Sequence, residues 1–234
     1  MTDKRPQWSR DSNSPSLHKT QGDSMITART IIETERGRLA VSHHEIGSLE
    51  CLSISTGRLD KPGVLVRIHS SCLFGEALGA FDCDCGPQLR SALGAITQAG
   101  AGVVVYMFQE GRGAGIEAKI RAMELQRSRR LSSYEAYDRL GLKHDAREYK
   151  AALVALSDLK VNRHICLISN NPLKRISLED EGYVIDNAIS LSYRVDVRAR
   201  QYLEMKRDVG RHTLDLEKLV FTDGISLGEP NGGE

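Results

Sequence analysis

Apolar residues along the chain gather into short runs separated by polar, glycine-bearing breaks. Val64-Leu-Val-Arg-Ile-His69, Gly102 to Phe108 and His164 to Ser169 are runs of strand length and predict buried strands. Thr27 to Glu33, Arg38 to Val41 and Leu49 to Ile54 are rich in β-branched residues, and the first two predict a hairpin closing at Arg36-Gly37. Gly182 to Ile185 predicts one more strand. Helices are expected over Pro87 to Ala99, Ile116 to Arg130 and Ser133 to Leu140, up to about Leu159, from near Pro172, and over Asp196 to Val209. Strands first, then alternating strand and helix, predict an α/β fold with a single mixed α/β domain over residues 26–212. Residues 1–25 are polar and almost free of aliphatic side chains, and predict a disordered tail; 213–234 predict a second, partly disordered one.

Composition narrows the partners. A formal net charge of +1 on 234 residues gives no reason to expect nucleic acid or an anionic membrane. No apolar run reaches membrane-spanning length, and the N-terminus lacks the hydrophobic core of a signal peptide. Five cysteines without a secretory signal fit a reducing cytoplasm.

Three of those cysteines, Cys72, Cys83 and Cys85, fall between the Val64 strand and the Pro87 helix. Thiolates suit zinc, and three of them leave a fourth tetrahedral position open for catalysis. Both thiols of the C-x-C pair reach one point if the backbone turns at Asp84 or Gly86. A structural zinc would add Cys166 or His69 as a fourth ligand; small buried thiols and a disulfide are the blander alternatives. The Gly102 strand ends in Gln109-Glu-Gly-Arg-Gly-Ala-Gly115, where glycines let backbone amides approach a ligand and Arg112 can fork onto a phosphate. A tight turn explains that loop equally well. The His164 strand ends in Ser169-Asn-Asn-Pro-Leu-Lys174, a helix start with a lysine, suited to a phosphate or a nucleobase edge. His43 and His44 read as a solvated pair past the second strand, and Asp145 with Arg147 as a solvated turn pair. Three such strand ends meeting at one cleft suit a ligand with phosphates and a heterocycle.

Arg67-Ile-His-Ser-Ser-Cys72, Cys83-Asp-Cys-Gly-Pro-Gln88, Gln109-Glu-Gly-Arg112, Asp145-Ala-Arg147 and Ser169-Asn-Asn-Pro-Leu-Lys174 occur in an order and spacing that resembles GTP cyclohydrolase II, the enzyme that opens riboflavin biosynthesis. The resemblance covers roughly Ile26 to His212. It implies a zinc site of Cys72, Cys83 and Cys85 at a strand-to-helix loop, with water activated there attacking C8 of guanine. It implies a GTP site lined by Arg67, Ile68, His69, Ser70, Ser71, Gln88, Glu110, Gly111, Arg112, Ser133, Ser169 and Lys174. Arg147 matches the arginine that takes the α-phosphate as diphosphate leaves, and Asp145 the carboxylate assigned as its base. The resemblance also implies Mg2+ at the triphosphate and a homodimer. The dihydroxybutanone-phosphate synthase domain common in the family is not expected here. A guanidinium is almost always protonated, so transition-state stabilisation by Arg147 is the sounder physical role.

Two positions depart from the family pattern. Ser71 stands where a glutamate usually precedes the first zinc cysteine, and Met123 where the family places an active-site tyrosine. A thioether cannot donate a proton, whereas general acid–base steps contribute roughly 10²–10⁴-fold. Release of formate needs a second hydrolysis, which depends on protonating a leaving amine. The expectation is therefore ring opening and diphosphate release, with the formylamino-pyrimidine nucleotide as product and a role in a specialised pathway. The alternative is the complete reaction, with Tyr106 or a water replacing the hydroxyl. A non-catalytic guanine-nucleotide-binding protein with a structural zinc is a further alternative. A zinc nucleoside deaminase would need H-x-E and P-C-x-x-C, which the chain lacks around these cysteines.

Overall fold

The computed structural model describes residues 24–222. Of the expected tails, 1–25 and 213–234, residues 1–23 and 223–234 lie outside the described residues, while Ser24 and Met25 lie in the first strand. β1 (Ser24–Thr34), β2 (Gly37–Ile46) and β3 (Leu49–Thr56) form an antiparallel meander, with the expected hairpin at Arg36-Gly37. The chain then alternates: β4 (Val64–Ser70), α1 (Leu73–Glu76), α2 (Cys85–Gln98), β5 (Gly102–Met107), α3 (Ile116–Arg129), α4 (Ser133–Arg139), α5 (Lys150–Asp158), β6 (His164–Ile168), α6 (Pro172–Asp180) and β7 (Val184–Ile189). These strands make one mixed sheet in the order β1-β2-β3-β5-β4-β6-β7. β5, β4, β6 and β7 run parallel, and β3 pairs antiparallel with β5.

Both faces of β4, β5 and β6 are covered, which is why they read as continuous apolar runs, while the edge strand β7 is largely exposed. Val103, Val105 and Met107 face α5, packing with Val64, Val66 and Ile68 against Ala151, Ala152, Ala155 and Leu156. The alternate residue Val104 faces α2, where it meets Ala92 and Ile96. The same alternation turns Arg67 and His69 of β4 away from the α5 core. The chain leaves β4, returns as β5 on one side, and later as β6 on the other. β4 is thus the switch point of the sheet, and a crevice opens at the carboxyl ends of its neighbours.

Several expectations change in three dimensions. The four-residue helix α1 was not anticipated; Cys72 caps it, accepting from Gly75 N at 3.4 Å. α2 begins at Cys85, so the turn between Cys83 and Cys85 falls on Asp84 and the helix start, not on Gly86. His44 sits inside β2, fully buried, with Nε2 2.9 Å from Ser53 Oγ and Nδ1 3.6 Å from the Asp158 carboxylate. Burial outweighs that carboxylate and holds its pKa below the ordinary histidine value, so it is a core residue and not a solvated one. The expected helix over Asp196–Val209 divides into β8 (Arg194–Asp196), a 3₁₀ turn and α7 (Arg200–Asp208). Described structure continues beyond residue 212: Leu214 and Leu219 are buried, and β9 (Val220–Thr222) pairs parallel with β8. Among the described residues, no helix is long and apolar enough to cross a membrane.

Candidate active site

The carboxyl end of β4 runs straight into Cys72, while α2 starts with Cys85. The Sγ atoms of Cys72, Cys83 and Cys85 lie within 4.8 Å of one another, and Cys72 and Cys83 are 3.7 Å apart. A tetrahedral ion with Zn–S bonds of about 2.3 Å needs sulfurs about 3.8 Å apart, so the set fits zinc. Two glycines keep the cradle open. A Cβ on Gly75 would stand 2.6 Å from Cys83 Sγ, and one on Gly86 would stand 2.1 Å from the Gly75 carbonyl oxygen. Gly86 therefore serves close approach, not a reversal of direction.

No fourth protein ligand joins the cluster among the described residues. Of the two candidates, His69 is engaged elsewhere: its Nε2 lies 2.8 Å from Glu76 Oε1, and its Nδ1 lies 3.2 Å and 3.1 Å from two Arg67 guanidinium nitrogens. Cys166 lies outside the cluster. All three cysteines line the cleft. Contacts with the other two thiols, helped by Lys119 and the Gly75 amide, pull the Cys72 thiol far below its ordinary value. The same shared contact pushes Cys83 up to about 11 and Cys85 well above its usual range. Three thiols this close share one favoured negative charge until a cation joins them.

Lys119 of α3 is the nearest cation, with Nζ 3.1 Å from Cys72 Sγ and 2.6 Å from Glu110 Oε1. Burial opposes its charge, but Glu110 and Cys72 outweigh burial and keep it protonated. Glu110 Oε2 also accepts from Leu73 N at 2.8 Å, so this predicted ligand-binding residue braces the metal loop. Met123 lines the same half of the cleft as the three cysteines, together with Ser71 and Gly111.

The second half is lined by Arg67, Gln88, Lys174, Ser169, Asp145 and His144, and it shares Ser70, Cys85, Arg112, Arg147 and Tyr202 with the first. Both halves therefore form one cleft with a waist. Arg112 reaches the waist from a left-handed backbone position (φ 56°) and donates to Ser133 Oγ at 3.1 Å, with Tyr134 under its guanidinium. Gly113 lets the 145–147 loop close in, since a Cβ there would meet Ala146 backbone at 2.7 Å. Asp145 and Arg147 form a two-point ion pair at 2.8 and 2.5 Å inside the cleft, which corrects their reading as a solvated turn. Burial opposes charge on both, but the pairing outweighs it. It holds Asp145 below the usual carboxylate range and keeps Arg147 firmly protonated.

Lys174 is buried at the start of α6 and donates to the Ile68 carbonyl at 2.8 Å. Burial, then Arg147 and Arg67, pull its pKa well down, so an anion is needed to hold its charge. Ile68 itself is corrected: its side chain packs in the α5 core, and only its carbonyl faces this region. The remaining predicted residues line one half or the other.

Sequence reasoning missed Glu76, Asp84, Lys119, Tyr193, Tyr202, Lys206 and His212. Glu76 is pushed up to about 7 by burial and accepts from Tyr106 Oη at 2.6 Å. Asp84, the residue between two metal cysteines, was legible by position. The others come from distant chain and carried no local signal.

His212 gives a pH test of this half. Burial and then Lys206, Arg147 and Lys174 push its pKa down from 6.5 to about 3. The unfolded imidazole binds protons first as pH falls. Its contribution is complete above pH 6.5 and is lost progressively between 6.5 and 3. Urea unfolding at pH 5 is expected to show about 2 kcal/mol less stability than at pH 7 from this group. His212→Asn should remove that share of the slope; an unchanged slope would place it elsewhere.

The family model described as GTP cyclohydrolase II matches residues 25–190. The chain belongs to the GTP cyclohydrolase II family. It is 39% identical over 176 residues to a protein named GTP cyclohydrolase-2 from Acinetobacter baumannii (strain SDF), covering 74% of this chain and 87% of that one. It is 42% identical over 216 residues to the riboflavin biosynthesis protein RibBA of Nocardia farcinica, covering 91% of this chain and 50% of that one. Cytophaga hutchinsonii RibBA is 42% identical over 159 residues, covering 68% of this chain and 38% of that one. The chain thus spans half or less of the length of these RibBA relatives.

Proposed function

We propose that the protein hydrolyses the guanine ring of GTP at C8, releases diphosphate, and leaves the formyl group on its product. The observation that carries this reading is the three-cysteine cluster, open on its fourth side, facing the same cleft as Arg112, Arg147, Lys174 and Lys206. When bound, zinc polarises water so that hydroxide is available near neutral pH. The residues do the rest. Arg67 and Gln88 meet at 2.6 Å, and their polar ends suit the guanine edge. Arg67, Arg112, Arg147, Lys174 and Lys206 outnumber Asp145 in the second half, which suits a triphosphate with Mg2+. Arg147, kept charged by Asp145, neutralises the α-phosphate as its bond to diphosphate breaks and water oxygen takes its place. A firmly protonated Arg147 fits charge stabilisation, not nucleophilic attack.

Ring opening adds one water and breaks C8–N9, leaving a formamide on N7. Formate release would add a second water, break C8–N7 and need a proton for the leaving nitrogen. Met123 has none to give on the metal side of the cleft. Tyr137 there donates its hydroxyl to the Gly111 carbonyl at 2.8 Å, and Tyr106 spends its proton on Glu76 outside that half. Tyr202 supports a second reading. It reaches the waist beside Cys85 and could supply the proton for complete GTP cyclohydrolase II chemistry in riboflavin synthesis.

Incubation of the zinc-loaded protein with GTP and Mg2+ tests both. Mass spectrometry should find diphosphate and a formylated, ring-opened nucleotide, with little formate. Formate equal to product, lost in Tyr202→Phe, would support the second reading; GTP recovered unchanged would sink both. Arg147→Met is expected to slow diphosphate release by roughly 10²–10³-fold, the usual cost of losing one preorganised charge-stabilising donor. Unaltered release would remove Arg147 from the phosphate site. The family resemblance supports a cytoplasmic homodimer as the working unit.

A further inference from the structure

Residues 191–222 build a small module with its own core of Tyr193, Val195, Ala199, Leu203, Leu214 and Leu219. The match to the family model ends before it, at residue 190. The module grips the metal loop at two places. Lys206 Nζ donates to Asp84 Oδ1 at 2.7 Å, and Tyr193 Oη donates to Asp84 Oδ2 at 2.7 Å. Further along, Arg198 lies 3.8 Å over the Phe81 ring while Asp196 holds its guanidinium at 2.7 and 2.9 Å. On the opposite rim, Thr213 N donates to the Asn170 carbonyl at 2.9 Å. The module therefore spans the mouth from the β4 loop to the β6 loop.

Asp84 is the centre of this grip. It is fully buried, it lies between Cys83 and Cys85, and it also accepts from Gln88 Nε2. Gln88 in turn accepts from Arg67 at 2.6 Å. A buried carboxylate beside three thiols concentrates negative charge, and the nearest balancing cation is Lys206, on α7. Without it Asp84 holds an uncompensated buried charge, and relief comes by moving the loop that carries both cysteines. Lys206 also lies 4.5 Å over the ring of Tyr202, one helical turn earlier, so the same contact seats that ring at the waist.

We propose that Lys206 is a positioning residue: through Asp84 it holds Cys83 and Cys85 in register for the metal, making the C-terminal module a working part of the site. The metal side of this inference rests on the zinc reading above; the loop side does not. The full chain is tested as Lys206→Met, Lys206→Arg and the double variant Lys206→Met with Asp84→Asn. The metal-free protein is labelled with iodoacetamide below its melting temperature, and rates at Cys83, Cys85 and the reference Cys166 are read by peptide mass spectrometry. Zinc affinity is measured by competition with a chromophoric chelator. Lys206→Met should label Cys83 and Cys85 faster and bind zinc more weakly, each by about 10–100-fold, the usual cost of losing an outer-shell partner. Lys206→Arg and the double variant should recover most of both, because one restores the cation and the other removes the stranded charge.

Labelling and zinc affinity unchanged in Lys206→Met, with only a lower melting temperature, would reduce the contact to packing and overturn the proposal. If Lys206→Met does not fold, the double variant decides: slow labelling upholds the strap, and labelling as fast as in urea overturns it. A wild-type protein that takes up no zinc but shows the labelling change would overturn the zinc reading and uphold the strap.

Discussion

Cys85→Ser is expected to lower zinc affinity and, if the reaction is zinc-dependent as proposed, to cut GTP turnover by at least about 10³-fold, because metal polarisation contributes several kcal/mol to such transition states. Serine is a hard, neutral donor where a soft anionic sulfur stood. The cluster has no spare protein ligand among the described residues to take over: His69 is committed to Glu76 and Arg67, and Cys166 lies outside it. Cys166→Ser is the matched control and should keep zinc and turnover. Turnover assays with chelator competition on both variants check this. Cys85→Ser turning over GTP within about tenfold of wild type would mean that the metal is not the source of the activated water.

If the protein stops at the formylated nucleotide, as proposed, Met123→Tyr is expected to shift the product to the deformylated one. Met123 sits on the wall that holds Cys72, Cys83 and Cys85. A phenol there restores a donor that the thioether lacks. Formate release should rise by about 10²-fold or more, the lower end of what a positioned general acid contributes. Diphosphate release should change little, since Lys174 lies beyond the waist and the substitution leaves the Arg147–Asp145 pair in place. The check is formate against diphosphate in one time course. Equal formate in wild type and variant would remove Met123 from the proton-transfer step and favour Tyr202 as donor.

Much of the fold was legible because its signals are local. β4, β5 and β6 announce themselves as apolar runs, since each is covered on both faces. The cysteine stretch was legible for a related reason: three thiols within fourteen residues are held close by the chain itself. Asp145 and Arg147 by their own chemistry read as a turn pair, and only the resemblance pointed to the site, because two residues of opposite charge look alike in a surface turn and in a cleft. Burial separates the two cases, and burial of that loop depends on Gly113 admitting Ala146. His44 misled for the reverse reason: a histidine pair carries no sign of which member faces the core.

By itself the sequence determined the α/β alternation, the polar loops at the strand ends and the close set of three cysteines, because covalent proximity and hydrophobic period are enough to specify them. Only the tertiary structure decided that Cys85 opens α2, that Glu110 braces Lys119, and that Lys206 settles on Asp84. The last joins segments 122 residues apart in the chain, where partner choice depends on which buried charge finds an opposite one within reach. A charged helix near the C-terminus looks solvated until the sheet places a buried carboxylate in front of it.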